Sequence, residues 1–133
     1  VARGNAERLG VSGRVRWHQG DIYEPLHGDT FDVIVSNPPY VDEAMRAEVQ
    51  PELRDFEPAE ALFAAEGGLA IVRRLLTGLH AHLRVPGVFV CEIGATQADA
   101  AHAAACAADC PTCSIRIAHD LQGLPRVLVV ESR

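Results

Sequence analysis

Hydrophobic residues along the chain follow two different spacings. Short, continuous apolar runs rich in β-branched residues occur at Phe31–Ser36, 88–93 and 127–131, and they predict buried strands. After the first run, apolar residues recur every three or four positions and predict one face of an amphipathic helix: Leu69, Val72, Leu75, Leu76, Leu79 and Leu83. Gly67-Gly68 is predicted to open this helix, and Pro86-Gly87 to end it.

The remaining segments complete an alternation of helices and strands. Four further elements are predicted: a helix over 1–9 capped by Gly10, a strand over 14–19 ending at Gly20-Asp21, a helix over 95–108 and a strand over 114–118. The acidic stretch 41–66 is irregular and predicts a long surface loop with a short helix. This order predicts an α/β fold with a parallel sheet. Its last two strands should pair antiparallel, because no helix separates them.

Composition limits the classes of function. The 133 residues suffice for one domain, and 48% of them are hydrophobic and 23% charged, as in an ordinary globular protein. The net charge is −6 and every basic residue is an arginine, which argues against nucleic-acid and anionic-lipid partners. The sequence contains no run of 18 apolar residues, so no membrane span is predicted. The amino terminus has neither an initiator methionine nor a signal peptide, so we expect a cytoplasmic fragment or a processed piece of something longer.

Four residues, Asn37-Pro38-Pro39-Tyr40, follow the strand Phe31–Ser36 directly. Two prolines stop a strand abruptly, because neither donates a ladder hydrogen bond and each fixes φ. Ligands of open α/β sheets bind beyond the carboxyl ends of the strands, where an Asn amide and a Tyr ring suit a small planar polar group. The alternatives are an ordinary Pro-Pro turn and a proline-rich ligand for an interaction module. A docking peptide should be exposed and flexible rather than follow a buried strand.

The four cysteines fall into two groups. Cys91 lies inside an apolar run and is predicted to be a small buried hydrophobe. Cys106, Cys110 and Cys113 have the spacing C-x3-C-x2-C, and His102 offers a fourth zinc ligand. Because Cys106 ends a predicted helix and Cys113 begins a predicted strand, we favour free thiols in a reducing compartment and predict no metal site.

The tetrapeptide is similar to the signature of methyltransferases that modify planar amide or exocyclic amino nitrogens. The chain as a whole resembles the carboxy-terminal part of the HemK/PrmC family of protein-(glutamine-N5) methyltransferases, which act on peptide chain release factors. The resemblance covers essentially residues 1 to 133. Besides the tetrapeptide and the strand before it, the segments that match are 5–10, Gln19-Gly20-Asp21, Glu57-Pro58, Ala61-Leu62, Gly67-Gly68-Leu69, Glu92-Ile93-Gly94 and Asp120-Leu121 with Gly123 and Arg126-Val127.

The resemblance implies a Rossmann-like, S-adenosylmethionine-dependent methyltransferase sheet that is incomplete here. The sequence contains neither the family's glycine-rich loop nor the acidic residue that binds the ribose hydroxyls. Two central strands, which in the family lie between the strand ending at Asp21 and the strand ending at Asn37, are also expected to be missing. We therefore expect residues 1–133 to be a partial catalytic domain with an unpaired strand edge, and to be inactive alone.

The resemblance also implies the substrate site. The side-chain oxygen of Asn37 and the backbone carbonyl of Pro38 would accept hydrogen bonds from the two amide hydrogens of the glutamine. Pro38 and Pro39 would hold that carbonyl rigid, and Tyr40 would cover one face of the amide. These bonds would become stronger as positive charge develops on the nitrogen.

The cofactor site is implied in the same way. Asp21 occupies the position of the family's contact to the adenine amino group, and a simple turn residue after Gly20 is the alternative. Ile22 would offer its backbone N–H and an apolar side chain to the ring, and Asn37 would serve the cofactor as well as the substrate. Glu92 is left open, either beside the site or merely at a strand end.

Several functions compete. The leading hypothesis is glutamine-N5 methylation in the Gly-Gly-Gln loop of a release factor, with a ribosomal-protein glutamine methyltransferase as a sister possibility. An adenine-N6 methyltransferase of nucleic acid shares the tetrapeptide, but it predicts basic patches that this acidic chain lacks. A catalytically incomplete binding or dimerising module is the alternative from another class.

Overall fold

The structure, a computed structural model, describes residues 1–108 and 112–133. Its strands are β1 (Phe31–Ser36), β2 (Val41–Asp42), β3 (Phe63–Ala64), β4 (Leu83–Glu92), β5 (Cys113–His119) and β6 (Pro125–Ser132). Its α-helices are α1 (Ala2–Arg8), α2 (Pro51–Phe56), α3 (Ala59–Leu62), α4 (Ala70–His82) and α5 (Ala98–Ala107). The order of the elements confirms the predicted α/β class.

The main sheet has four strands in the order β1-β4-β6-β5. Strands β1 and β4 are parallel, as expected when α4 connects them in a crossover. Strand β6 runs antiparallel to both of its neighbours, β4 and β5. The predicted antiparallel pairing of the last two strands is therefore confirmed. Strand β6 lies inside the sheet, and β5 forms its edge.

The apolar face of helix α4, with the residue on either side of the helix, is buried in the core. All six apolar positions of the predicted face are buried: Leu69, Val72, Leu75, Leu76, Leu79 and Leu83. They pack against residues of the sheet and of α5 in a single cluster that includes Phe89, Leu128 and Ala101. The predicted helix over 1–9 is also confirmed, and it ends at the left-handed Gly10, whose N–H donates to the carbonyl of Glu7.

The predicted strand over 14–19 is wrong. Val15 is extended, but no strand of the described residues pairs with this segment. A strand needs a neighbouring ladder, and none of the described strands offers one to this segment. The expected unpaired edge is present at β1, which pairs with β4 alone among the described strands. The prediction that this strand is buried is wrong: Val33 is 56% exposed and Val35 is 72% exposed, because no described element covers that face of β1.

Strand β4 begins earlier than predicted. It starts at Leu83, directly after α4, and Pro86-Gly87 lies within it instead of preceding it. Between the pairs Phe31–Leu83 and Val33–Val88, β4 has three more residues than β1 and so forms a bulge. The bulge contains a cis Val85–Pro86 peptide bond. The hydroxyl of Ser132 donates to the carbonyl of Arg84 at 2.6 Å and lies 3.2 Å from that of Gly87.

The segment 41–66 is more ordered than the predicted loop. Strands β2 and β3 form a separate, two-stranded parallel sheet. Between them lie a 3-10 turn at Glu43–Glu48 and the short helices α2 and α3. Asp42 begins the turn by accepting a hydrogen bond from the N–H of Ala44, 3.1 Å away. This small sheet fixes the chain immediately after Tyr40.

Cysteine chemistry differs in part from the prediction. Cys91 is buried and Cys106 is exposed, and both are free thiols as predicted. Cys113 is disulfide-bonded, so the prediction of a free thiol is wrong for that residue. Cys110 lies outside the described residues. His102 Nδ1 lies 3.6 Å from the sulfur of Cys106, one helical turn away on α5.

Candidate active site

The residues Asn37-Pro38-Pro39-Tyr40, here called the diproline corner, lie at the carboxyl end of β1. The last ladder pair joins Ser36 to Cys91, which places Asn37 level with Glu92 at the end of the neighbouring strand. Asn37 is exposed, Pro38 is buried, and Pro39 and Tyr40 are half-buried. The corner therefore stands at the edge of the sheet where ligands of open α/β folds bind.

The hydroxyl of Tyr40 is held by a charged group from the adjacent strand. It hydrogen-bonds the carboxylate of Glu92. Partial burial, followed by this bond and the negative charge of Glu92, raises the pKa of Tyr40, while the nearby Arg126 opposes the rise. The hydroxyl therefore stays protonated and donates its hydrogen to Glu92.

Arg126 connects this pair to the loop before β6. Its Nε lies 3.3 Å from a carboxylate oxygen of Asp120. Asp120 also accepts from the N–H groups of Leu124, at 3.0 Å, and Gln122, at 2.9 Å. These backbone bonds, together with Arg126, lower the pKa of Asp120. The result is a row of alternating charges, Glu92, Arg126 and Asp120, that extends away from Tyr40.

The backbone of the corner is held by Gln97. The Nε2 atom of Gln97 donates to the carbonyl of Tyr40 at 2.7 Å and to the carbonyl of Gly67 at 2.7 Å. Its Oε1 accepts from the N–H of Gly94 at 2.8 Å. One buried side chain thus connects the diproline corner, the turn before α4 and the loop after β4.

Gly68 lets the turn before α4 approach the corner closely. A β-carbon at this position would overlap the carbonyl of Tyr40 and the Nε2 atom of Gln97. Its φ of +82° also lies in the left-handed region, where side chains are disfavoured. Both conditions require glycine.

A cavity of about 520 Å³ adjoins the corner. Its walls come from Tyr40, from the segment that follows it, and from the turns at Gly67 and Gly94. The larger cavity, about 900 Å³, lies at the amino-terminal end of β1 and is lined by Arg14, Arg16 and Arg84, among others. That end of a parallel strand is the wrong side for ligand binding, so the smaller cavity is the functional candidate.

Asp21 and Ile22 are positioned by α4. The carboxylate of Asp21 pairs with Arg74 at 2.5 Å. Ile22 packs against the core with a positive φ of 49°, which is unusual for a β-branched residue. The ion pair of Asp21 is with α4, whereas the corner is tied to the loop that follows β4. The structure therefore organises the predicted site residues as two separately anchored groups.

The chain is similar to proteins of known function. The sequence profile of the "Methyltransferase small domain" family matches residues 1–90. The chain belongs to the methyltransferase small domain family. A release factor glutamine methyltransferase of Koribacter versatilis is 38% identical over 97% of this chain and 44% of its own length. Another, from Francisella tularensis, is 39% identical over 95% of this chain and 43% of its own length.

The chain is also similar to one further relative and to one solved structure. The ribosomal protein uL3 glutamine methyltransferase of Bradyrhizobium diazoefficiens is 42% identical over 71% of this chain and 29% of its own length. A crystal structure of a release factor-specific protein-(glutamine-N5) methyltransferase from Alicyclobacillus acidocaldarius superposes with a TM-score of 0.55 at 24% identity. That superposition covers 84% of this chain and 55% of the other. The predicted Rossmann-like fold and the resemblance to glutamine methyltransferases are confirmed. The chain spans less than half the length of the first two relatives.

Asp21 and Ile22 fit the base of a nucleoside cofactor. Arg74 engages one carboxylate oxygen of Asp21, Oδ2, so the other remains an acceptor for an amino group. Ile22 adds a half-buried apolar side chain next to it. The sequence contains no G-x-G-x-G run to approach the remainder of the cofactor. The fit is to the base alone.

Three residues of the site were not assigned to it from the sequence: Glu92, Gln97 and Gly68. Glu92 is revealed by strand pairing, because parallel neighbours end side by side. Gln97 follows Gly94 by three positions, a spacing at which a Gln side chain reaches back to the first N–H of a helix. The closeness of Gly68 to Tyr40 had no sequence signal beyond the Gly-Gly pair.

Proposed function

We propose that this chain is the carboxy-terminal part of the catalytic domain of an S-adenosylmethionine-dependent methyltransferase acting on the side-chain amide nitrogen of a protein glutamine. The observation that carries the proposal is the diproline corner, held at the carboxyl end of β1 by Gln97, with Glu92 acting on the hydroxyl of Tyr40. The names of the relatives support the reaction class. Residues 1–133 alone lack the glycine-rich loop, so we propose that they are inactive in isolation.

The corner offers two oxygen acceptors to a planar NH2 group. Among the hydrogen bonds of the described residues, none uses the side chain of Asn37 or the carbonyl of Pro38, whereas the carbonyl of Tyr40 is engaged by Gln97. We assign Asn37 and Pro38 to the two amide hydrogens. Pro39 restricts the backbone that carries these acceptors, and the Tyr40 ring would cover one face of the amide.

The bound cofactor supplies a methyl group activated by a sulfonium. The amide nitrogen is a poor nucleophile, because its lone pair is delocalised into the carbonyl, so the chain's task is to position and polarise it. Fixed orientation of this kind is worth roughly 7–11 kcal/mol in favourable systems. The two acceptors bind more strongly as positive charge develops on the nitrogen, and they take no proton at the start.

Asp21 and Ile22 are assigned to the adenine of the cofactor, with Asn37 at the border between cofactor and substrate. Asp21 would accept from the adenine amino group, and Ile22 would offer its backbone N–H and its side chain to the ring. The pair Asp21–Arg74 holds the carboxylate in place on α4. This assignment is independent of the contacts that hold the corner.

We propose a release factor, through its Gly-Gly-Gln loop, as the substrate. Four release factor enzymes match 95–98% of this chain and a fifth matches 74%, whereas three uL3 enzymes match 71–73% of it. The acidic net charge of −6 also favours a protein over a nucleic acid. No helix of the described residues is long and apolar enough to cross a membrane. We propose a cytoplasmic location, where release factors act.

The test uses the natural, full-length gene product, S-adenosylmethionine and a peptide that contains Gly-Gly-Gln, with a Gly-Gly-Glu peptide as control. We expect mass spectrometry to show one added methyl group on the glutamine peptide alone. Asn37→Ala should reduce turnover by at least about a hundredfold, while calorimetry shows cofactor affinity largely kept, because Asn37 lies only at the border of the proposed cofactor site. Asn5→Ala, an exposed residue of α1, is the matched control. Methylation of DNA adenine, or unchanged turnover of Asn37→Ala, would refute the assignment.

A further inference from the structure

The side-chain amide of Gln97 has every polar group engaged by a backbone partner. Both N–H groups donate, to Tyr40 and Gly67, and the oxygen accepts from Gly94. The residue is only 8% exposed, so water contributes little to these bonds and each lost bond would leave a buried group unpaired.

A helix cap explains only one of these bonds. The contact with Gly94 spans three residues and is the usual return of an N3 side chain to the start of a helix. The other two bonds reach residues 57 and 30 positions away. They serve the diproline corner and the turn before α4, and they require a donor group, which Gln has and Glu lacks.

The bond to Tyr40 acts on the acceptors of the proposed reaction through a stiff backbone. The Tyr40 carbonyl is two residues from the Pro38 carbonyl, and peptide planarity and the fixed φ of Pro39 limit the rotations between them. The fixed φ of Pro38 likewise limits the rotations between its carbonyl and Asn37. A displacement of Tyr40 is therefore transmitted to Pro38 and Asn37. An error of about 1 Å in the position of reacting groups can cost about a hundredfold in rate.

We propose that Gln97 is a positioning residue for methyl transfer, which sets the direction of the acceptors at Asn37 and Pro38 by holding the carbonyl of Tyr40. Gly68 completes the arrangement by letting the turn before α4 pack directly on that carbonyl. This inference rests on the proposed function, and it adds to it two residues that touch neither the glutamine nor the cofactor.

The first test is Gln97→Glu in the full-length gene product. The carboxylate keeps the acceptor for Gly94 but turns two donations into repulsion between oxygens. We expect kcat for the Gly-Gly-Gln peptide to fall at least about thirtyfold, with the cofactor Kd changed less than about twofold. Gln122→Glu makes the same chemical change at an exposed position and should retain full kcat.

The second test separates position from charge. Gly68→Ala places a methyl group against the Tyr40 carbonyl, whereas Gly28→Ala, at a nearly equal φ of +84°, meets no atom within 4 Å. Both substitutions carry the same backbone strain, so a difference in kcat measures the displacement of the corner. We expect a loss of at least about tenfold in kcat for Gly68→Ala relative to Gly28→Ala, measured below the melting temperatures of both.

The outcomes are distinguishable from failure of the proposed function. If the parent protein does not methylate the glutamine peptide, the proposed function is wrong. If it does, and Gln97→Glu retains the parent kcat or loses only thermal stability, Gln97 is merely a helix cap and the inference is overturned. Equal kcat for Gly68→Ala and Gly28→Ala would overturn it as well.

Discussion

Tyr23 and His82 stack face to face, with ring centroids 4.2 Å apart and ring planes inclined by 11°. The Tyr23 hydroxyl donates to the carbonyl of Leu75 at 3.1 Å. Nδ1 of His82 lies 2.9 Å from the carbonyl of Gly78, so it is the protonated nitrogen. Together with the pair Asp21–Arg74, this stack attaches the proposed adenine contacts to α4.

Gly78 should not tolerate alanine, although it lies inside a helix. A β-carbon there would come within 2.6 Å of the Tyr23 ring and would displace it. Alanine normally stabilises a helix interior by about 1 kcal/mol relative to glycine. We expect Gly78→Ala instead to lower the free energy of unfolding by about 1–3 kcal/mol and to weaken cofactor affinity in the full-length gene product.

Gly4 in α1 provides the matched control, because a β-carbon there meets no atom within 4 Å. Denaturant unfolding of both variants measures the difference. A stabilised Gly78→Ala protein would show that the Tyr23 ring moves aside freely, and the anchoring role of the stack would then be abandoned.

The stability of the protein should decrease at high pH through Tyr23. Burial, followed by the charge of Cys91, raises the pKa of Tyr23 from 10.0 to about 12. Above pH 10 the unfolded chain loses the phenol proton while the folded chain keeps it, so the folded state binds more protons and the free energy of unfolding falls as pH rises. This contribution is fully present below pH 10 and is lost as pH approaches about 12.

Urea unfolding at a series of alkaline pH values, with Tyr23→Phe as the comparison, measures this effect. The variant should lose the hydrogen bond to Leu75, worth about 1 kcal/mol, and should show a smaller decrease above pH 10 than the parent. Identical slopes for the two proteins would assign the alkaline loss of stability to other groups.

An element could be predicted correctly from the sequence where the structure provides the strands or helices that pair with it or pack against it. The helical face from Leu69 to Leu83 was predicted correctly, because its spacing is a local property and the sheet that covers it is present. Residues 14–19 have a strand-like pattern, but a strand forms only by pairing, and none of the described strands pairs with them. Local periodicity could not distinguish these two situations.

The candidate site was predictable to the extent that it is continuous in sequence. Asn37 to Tyr40 were identified because four adjacent residues carry the signal. The groups that hold them come from 57 residues away, at Gln97, and from a neighbouring strand, at Glu92. Such contacts depend on strand register and loop geometry, which hydrophobic spacing does not encode.

Tyr40 should contribute to turnover in two separable ways. Tyr40→Phe keeps the ring that is proposed to cover the amide but removes the hydrogen bond to Glu92. We expect a loss of about fivefold in kcat for this variant and about a hundredfold for Tyr40→Ala, which removes the ring as well. Steady-state kinetics on the Gly-Gly-Gln peptide measures both. Equal losses would mean that the hydroxyl, and not the ring, carries the whole effect.

Cys91 and Cys106, the free cysteines among the described residues, should differ strongly in reactivity. The thiolate is the reactive form, and burial raises the pKa of Cys91 to about 12, so almost none is present at neutral pH. Cys106 is exposed on α5. We expect iodoacetamide to modify Cys106 in the native protein and Cys91 only after unfolding in urea, as measured by peptide mass spectrometry. Cys106→Ser should remove the native modification at that peptide and leave the modification of Cys91 in urea unchanged. Equal labelling of Cys91 with and without urea would show that β4 opens readily, and β4 could not then hold Glu92 against Tyr40.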